Sequence, residues 1–236
     1  MTNPQILPTG AKLTPFLLPT PAKTGVLIVP GGGYGHLAVG HEGADIGAWL
    51  GARGYDAWML EYTIAGTQHP APIYPRPQND ALEAVAAIRA QNRVETLGIW
   101  GFSAGGHLAA MTATQANVAL DFAVLAYPVI TLEAPFVNIG SRRNLLGENL
   151  DQALLKSLSV QNRVSKSTAP TFLFHTGDDS AVAVENSLMF YAALRQNEVP
   201  AELHIYENGR HGVGLAPDDP VLSSWGARLE DWLQKR

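Results

Sequence analysis

Short, continuous apolar runs alternate with longer helical patterns along almost the whole chain, and this alternation constrains the fold more than any other feature. Val26-Leu27-Ile28-Val29 is the first strong run, and it ends in Pro30 and three glycines. Strands are predicted again over 55–62, 96–100, 122–127, 171–175 and 201–206. Between them, apolar residues at helical spacing predict helices over 41–53, 81–91, 104–116, 184–196 and 219–234, with Asn79 or Asp80 capping the second. Strands apolar on both sides, separated by helices, imply a mostly parallel sheet covered on both faces, an α/β fold. At 236 residues, with no internal repeat and no dividing linker, the chain reads as a single domain over 1–236. Residues 129–168 form a long excursion over the sheet.

Composition excludes several function classes. Sixteen Lys+Arg against 21 Asp+Glu give a formal charge of −5, which offers no basic field for nucleic acid or an anionic membrane surface. The chain has no cysteine, so disulfides, thiolate metal sites and cysteine nucleophiles are ruled out. His41-Glu42-Gly43-Ala44-Asp45 lacks the second histidine of a zinc-protease helix, and no paired spacing among the seven histidines suggests a metal; no cofactor is expected. Five prolines within the first 21 residues interrupt any signal-like apolar run, and no uninterrupted apolar stretch is of membrane-spanning length. The expectation is a cytoplasmic protein.

Gly101-Phe102-Ser103-Ala104-Gly105 lies between a predicted strand and a predicted helix. A serine in G-x-S-x-G in that context stands on a strained turn, with its hydroxyl exposed near a helix N-terminus. A serine hydroxyl needs a base, and the base needs a carboxylate to orient it, in the chain order Ser, Asp/Glu, His. His211, in Gly209-Arg210-His211-Gly212, follows the strand 201–206 and is the only histidine in a predicted post-strand loop near the C-terminus; His36, His41 and His69 come too early, and His204 lies inside a strand. Asp178 and Asp179 both follow the strand 171–175 and are both candidates for the acid. Pro30-Gly31-Gly32-Gly33-Tyr34 leaves the first strong strand as an oxyanion loop would, and it lacks the pattern of a phosphate-binding loop. The expected oxyanion donors are the amides of Gly32, Gly33 and Ala104; Tyr34 and Arg142 are the candidate substrate-binding residues. The five tryptophans fall at apolar positions and read as core, and His107 reads as a packed or capping side chain.

The segments PGGGY, HEG, HPAP, GFSAGGHLA, YPVI, GSRRNLLG, HTGDD with VENS, and PAELHIYENGRHGVGL run in this order from about residue 10 to 234. Together they resemble the small bacterial α/β-hydrolase esterases related to acetyl xylan esterases and bifunctional acetyl/feruloyl carbohydrate esterases. The resemblance implies an α/β-hydrolase fold and a Ser103, His211, Asp179 triad. Asp179 is preferred over Asp178 because the family's acid stands three residues before the Val of a D-x-x-V-P step, here Val182, with Ala183 in place of the proline. It also implies hydrolysis of short-chain esters, acetyl or feruloyl, on sugars or xylan. The competing expectations are an arylformamidase-type amide hydrolase or small peptidase on the same fold, and a non-catalytic small-molecule receptor that kept the fold.

Overall fold

The computed structural model describes residues 3–148 and 150–236. One sheet carries eight strands: β1 (Gln5–Ile6), β2 (Lys12–Phe16), β3 (Thr24–Val29), β4 (Asp56–Glu61), β5 (Thr96–Phe102), β6 (Phe122–Ala126), β7 (Thr171–Thr176) and β8 (Ala201–Tyr206). Their order is β1-β2-β4-β3-β5-β6-β7-β8. Every pairing from β4 across to β8 is parallel, and only β1 and β2 run antiparallel. The helices are α1 (Asp45–Gly51), α2 (Arg76–Ala90), α3 (Ser103–Ala113), α4 (Ile139–Leu146), α5 (Gln152–Leu158), α6 (Glu185–Gln196) and α7 (Ser224–Leu233). None of those described is long and apolar enough to cross a membrane.

Alternation along the central strands sorts the core into two layers. Val26, Ile28, Trp100, Phe102, Phe172 and Phe174 face α1 and α7, where Trp225 stacks flat on Phe174 with ring centroids 4.4 Å apart. Leu27, Val29, Ile99, Leu125 and Leu173 face α2, α3 and α6 on the other side. Four of the five tryptophans are buried as expected, and Trp49 packs edge-on against Trp100.

The structure departs from the sequence reading in five places. The proline-rich N-terminus supplies β1 and β2. Pro15 is tolerated there because β1 pairs only with Lys12 and Leu13, leaving the outer side of β2 open at Pro15. α2 begins at Arg76, ahead of the expected caps, since Pro77 in its first turn has no N–H to leave unpaired. Asp80 is instead buried inside α2, where its carboxylate accepts the Thr63 N–H at 2.7 Å. Residues 40–44 form one wide turn ahead of the shorter α1, and α7 starts only at Ser224 because Asp219 folds its carboxylate onto the Val221 and Leu222 amides. The excursion 129–168 carries two helices for which the sequence reading gave no pattern, α4 and α5, capped by Asn138 and Asp151.

His107 on α3 ties this excursion to the core. It is 1% exposed, with Nδ1 2.8 Å from the Tyr34 hydroxyl and Nε2 2.9 Å from the Leu158 carbonyl at the end of α5. Burial pushes its pKa down to about 4, against the opposing pull of the Leu158 carbonyl. The folded state therefore holds His107 neutral while the unfolded chain takes up a proton near 6.5. That stability is complete above the unfolded value and is lost as pH falls toward the folded one. Wild type is expected to lose about 2 kcal/mol from this group between roughly pH 6.5 and 5. His107→Gln, neutral throughout, should show a correspondingly shallower fall. Urea unfolding across that pH range checks it, and equal slopes in both proteins would refute it.

Candidate active site

Ser103 stands where β5 passes directly into α3, at φ 52°, in the left-handed region that a non-glycine residue occupies only under constraint. The constraint is close packing. A Cβ on Gly105 would overlap the backbone oxygens of Val29 and Pro30, and one on Gly101 would overlap the Gly105 carbonyl. These two glycines let the first turn of α3 settle against the ends of β3 and β5. The turn leaves the Ser103 hydroxyl at the floor of a cleft of about 560 Å³.

His211 lies in the loop after β8, with Nε2 2.8 Å from Ser103 Oγ and Nδ1 2.7 Å from Asp179 Oδ2. With the serine donating to Nε2, the imidazole proton lies on Nδ1 and is donated to Asp179. Asp179 is 8% exposed, and its second oxygen accepts the Ala181 and Val182 amides, both at 2.9 Å. Burial alone would raise its pKa. Hydrogen bonds from His175, His211 and the Val182 amide outweigh that and hold it well below the usual carboxylate range. His175, buried beneath this loop, reaches Ser187 Oγ at 2.7 Å and the Val182 carbonyl at 2.9 Å.

Asp178 has a different place. Its Oδ1 accepts the Gly209 N–H at 2.7 Å, Thr176 Oγ1 donates to the Gly209 carbonyl at 2.7 Å, and Arg210 donates to the His211 and Gly212 carbonyls. It holds the loop that carries His211 but does not touch the imidazole. The geometry thus separates two neighbouring aspartates that residue order alone left open.

Gly32 (φ 131°) and Gly33 (φ 62°) line the cleft beside Ser103, and a Cβ on Gly32 would overlap the His36 carbonyl. Their carbonyls are engaged: Gly32 O accepts the Gly35 and His36 amides, and Gly33 O accepts Asn144 Nδ2 at 2.8 Å. Ala104, the residue after Ser103, is fully buried in the first turn of α3. Helix-start geometry and turned glycine peptides are the two standard sources of inward-facing N–H groups for a developing oxyanion.

Two residues expected from the sequence to contact substrate do not line the cleft, and each is a correction. Tyr34 is 1% exposed because its hydroxyl is drawn inward to His107 and its ring packs edge-on against Tyr62. Arg142 points away toward the Leu132 carbonyl; its neighbours Ser141 and Asn144, on the inner side of α4, face the cleft instead. The stretch 141–144 does reach the cleft mouth, through Ser141 and Asn144; sequence reasoning missed Glu42, a cleft residue whose Tyr127 partner lies 85 residues away in the chain. Among the lining residues the largest apolar side chain is alanine, at Ala38 and Ala181; the rest are glycine, serine, asparagine, histidine, arginine and Glu42.

The protein-family model described as the prolyl oligopeptidase family matches residues 75–236, a span that includes Ser103, Asp179 and His211. The chain is 32% identical over 239 residues to an acetylxylan esterase of Xylanibacter ruminicola, covering 95% of this chain and 48% of that protein. It is 33% identical over 218 residues to endo-1,4-beta-xylanase B of Butyrivibrio fibrisolvens, covering 85% of this chain and 34% of that one. The chain therefore spans about a third to a half of the length of these curated relatives. Among solved structures, it superposes with a TM-score of 0.85 on an acetyl ester-xyloside bifunctional hydrolase from Caldicellulosiruptor lactoaceticus, at 39% identity over 97% of this chain and 89% of that one. The sheet and its flanking helices are an α/β-hydrolase fold.

The close approach of α3 gives a direct test. Gly105→Ala should be destabilised by about 1–3 kcal/mol, since backbone cannot move aside as a side chain can. Gly140→Ala, whose added Cβ meets only Asn138 Oδ1 at 3.6 Å, should stay within about 0.5 kcal/mol of wild type or exceed it. Urea midpoints compare the two, and equal stability would refute the packing argument.

Proposed function

The chain belongs to the prolyl oligopeptidase family, and from that premise we propose that it is a serine esterase acting on short-chain esters, acetyl esters of sugars or xylan above all. The observation that carries this reading is a Ser103–His211–Asp179 hydrogen-bonded chain at the floor of a cleft lined by small and polar residues. Among the described residues no lining side chain is a long aliphatic or a benzenoid wall, which suits a small acyl group and a hydroxyl-rich alcohol more than a fatty chain or a feruloyl ring. The names of the esterase relatives point the same way.

In this reading His211 takes the Ser103 proton as Oγ attacks the ester carbonyl. The Gly32, Gly33 and Ala104 amides receive the oxyanion, where a dry, fixed donor counts for most. His211 then protonates the departing alcohol, leaving an acyl-enzyme. The same imidazole activates a water to release the acid and restore Ser103. Asp179 stays ionised throughout and keeps the imidazole in the tautomer that faces Ser103. The working unit is a single hydrolase domain, with residues 129–168 laying α4 along the rim of the cleft. Its partner is the small-molecule ester or acylated saccharide.

The family match favours one second reading, cleavage of an amide or peptide bond by the same three residues. An ester series tests both. Wild type should cleave p-nitrophenyl acetate faster than the butyrate and much faster than the octanoate, and acetylated xylose or xylan should release acetate. Faster turnover of a dipeptidyl p-nitroanilide would reverse the assignment. Ser103→Ala should lower kcat on the order of 10⁴-fold or more, because the triad acts as a unit.

The two aspartates provide an internal control. Asp179→Asn should cost about 10³- to 10⁴-fold in kcat by spoiling the imidazole tautomer. Asp178→Asn, which weakens one hydrogen bond to the His211 loop, should cost less than about tenfold. Steady-state kinetics on p-nitrophenyl acetate separates them, and a reversed order would make Asp178 the acid.

A further inference from the structure

Glu42 is a buried carboxylate that none of these steps uses. It sits in the wide turn Gly40–Ala44, where the Ala44 amide reaches back five residues to the Val39 carbonyl at 2.8 Å. Such widened turns re-aim a side chain that a regular helix would point elsewhere. Here the side chain points inward and is 3% exposed. Both of its oxygens are occupied: Oε2 accepts the Gly31 N–H and Oε1 accepts the Tyr127 hydroxyl, each at 2.8 Å.

Each partner leads to one side of the reaction centre. Gly31 precedes Gly32, and its carbonyl, which shares a peptide group with the Gly32 N–H, accepts the Ala38 amide at 3.0 Å. Gly31 is wedged so tightly that an added Cβ would lie 2.7 Å from Glu42 Oε2 and 2.9 Å from Ser103 Cβ. Moving the carboxylate therefore moves the peptide that aims the Gly32 amide. On the other side, the Tyr127 hydroxyl accepts the Gly214 N–H at 2.9 Å, three residues beyond His211. The Tyr127 ring lies edge-on to the His211 ring, with centroids 5.0 Å apart. Tyr127 itself has φ 38°, a conformation that a bulky residue keeps only when its surroundings demand it.

We propose that Glu42 is a positioning residue: through Gly31 and Tyr127, its carboxylate holds the glycine loop and the His211 loop at a fixed spacing about Ser103. This rests on the serine-hydrolase reading above. Distance along the chain hides the arrangement, because Glu42 and Tyr127 are 85 residues apart and meet only once β3 and β6 lie in one sheet.

The test uses the full chain with Glu42→Gln, Tyr127→Phe and the double variant, assayed on p-nitrophenyl acetate. Glu42→Gln keeps the volume but offers one acceptor oxygen to two donors. Tyr127→Phe breaks the same bridge from its far end and leaves the carboxylate in place, so it decides the matter alone if the first variant does not fold. Each folded single variant should lose about 10- to 100-fold in kcat with KM within about twofold, because the donors are misaimed only in the transition state. Phenylboronic acid, whose tetrahedral adduct on a serine presents an oxyanion, should bind each variant more weakly by a comparable factor. The double variant should be no worse than the poorer single one, the mark of one shared bridge. Folded variants with a lower melting temperature but unchanged kcat and boronate affinity would make Glu42 merely structural and overturn the proposal. Absence of Ser103-dependent turnover in wild type would overturn the serine-hydrolase reading itself, and this proposal with it.

Discussion

Seating Ser103 in a left-handed conformation at the start of α3 requires a helix to approach strand ends more closely than any side chain permits. Gly101 and Gly105 grant that approach, and the remainder of the site is arranged around it. The parallel strands β3, β5, β7 and β8 all end on the same side of the sheet, so the loops that leave them gather above Ser103. A glycine loop, an acid loop and a histidine loop thus meet at one point without any of them being close in the chain. This is the usual advantage of placing a site at the carboxyl ends of parallel strands.

Charge is handled differently at the two buried carboxylates near the cleft. Asp179 is kept ionised by the His175 and His211 imidazoles at one oxygen and amides at the other, which together outweigh the burial that would otherwise neutralise it. The hydrogen bonds to Glu42 come from neutral donors, an amide and a phenol, with the His41 imidazole 3.8 Å from Oε1. One carboxylate faces the His211 imidazole, and the other faces the Gly31 backbone and the Tyr127 hydroxyl. Asp178, next in sequence to Asp179, is spent on a loop amide. Three acids of similar chemistry are distinguished by their burial and their donors.

The strands from β3 to β8 were legible because most are buried on both faces and are written as continuous apolar runs bounded by glycine, proline or polar residues. β1 and β2 were not, since they are short, lie at an edge and contain a proline, features that local pattern reads as coil. α4 and α5 escaped for a related reason: each is a one-sided helix of eight residues or fewer, too short for its periodicity to stand out. In the site, Ser103 and His211 could be read from local context, the strand–turn–helix around one and the late loop around the other.

Sequence by itself determined the class of sheet and singled out Ser103 as the proposed nucleophile, His211 as its proposed base and a pair of aspartates for the proposed acid, because each depends on a short stretch and its neighbouring strand. Tertiary structure alone decided that Asp179 faces His211 while Asp178 braces it, and that Tyr34 and Arg142 turn away while Asn144 and Glu42 turn in. Those choices depend on which way a side chain points, and at these positions the direction is set by partners from 10 to 111 residues away. No local pattern of residue types carries that information, since hydrogen bonds and packing select a direction only after the sheet has brought its loops together.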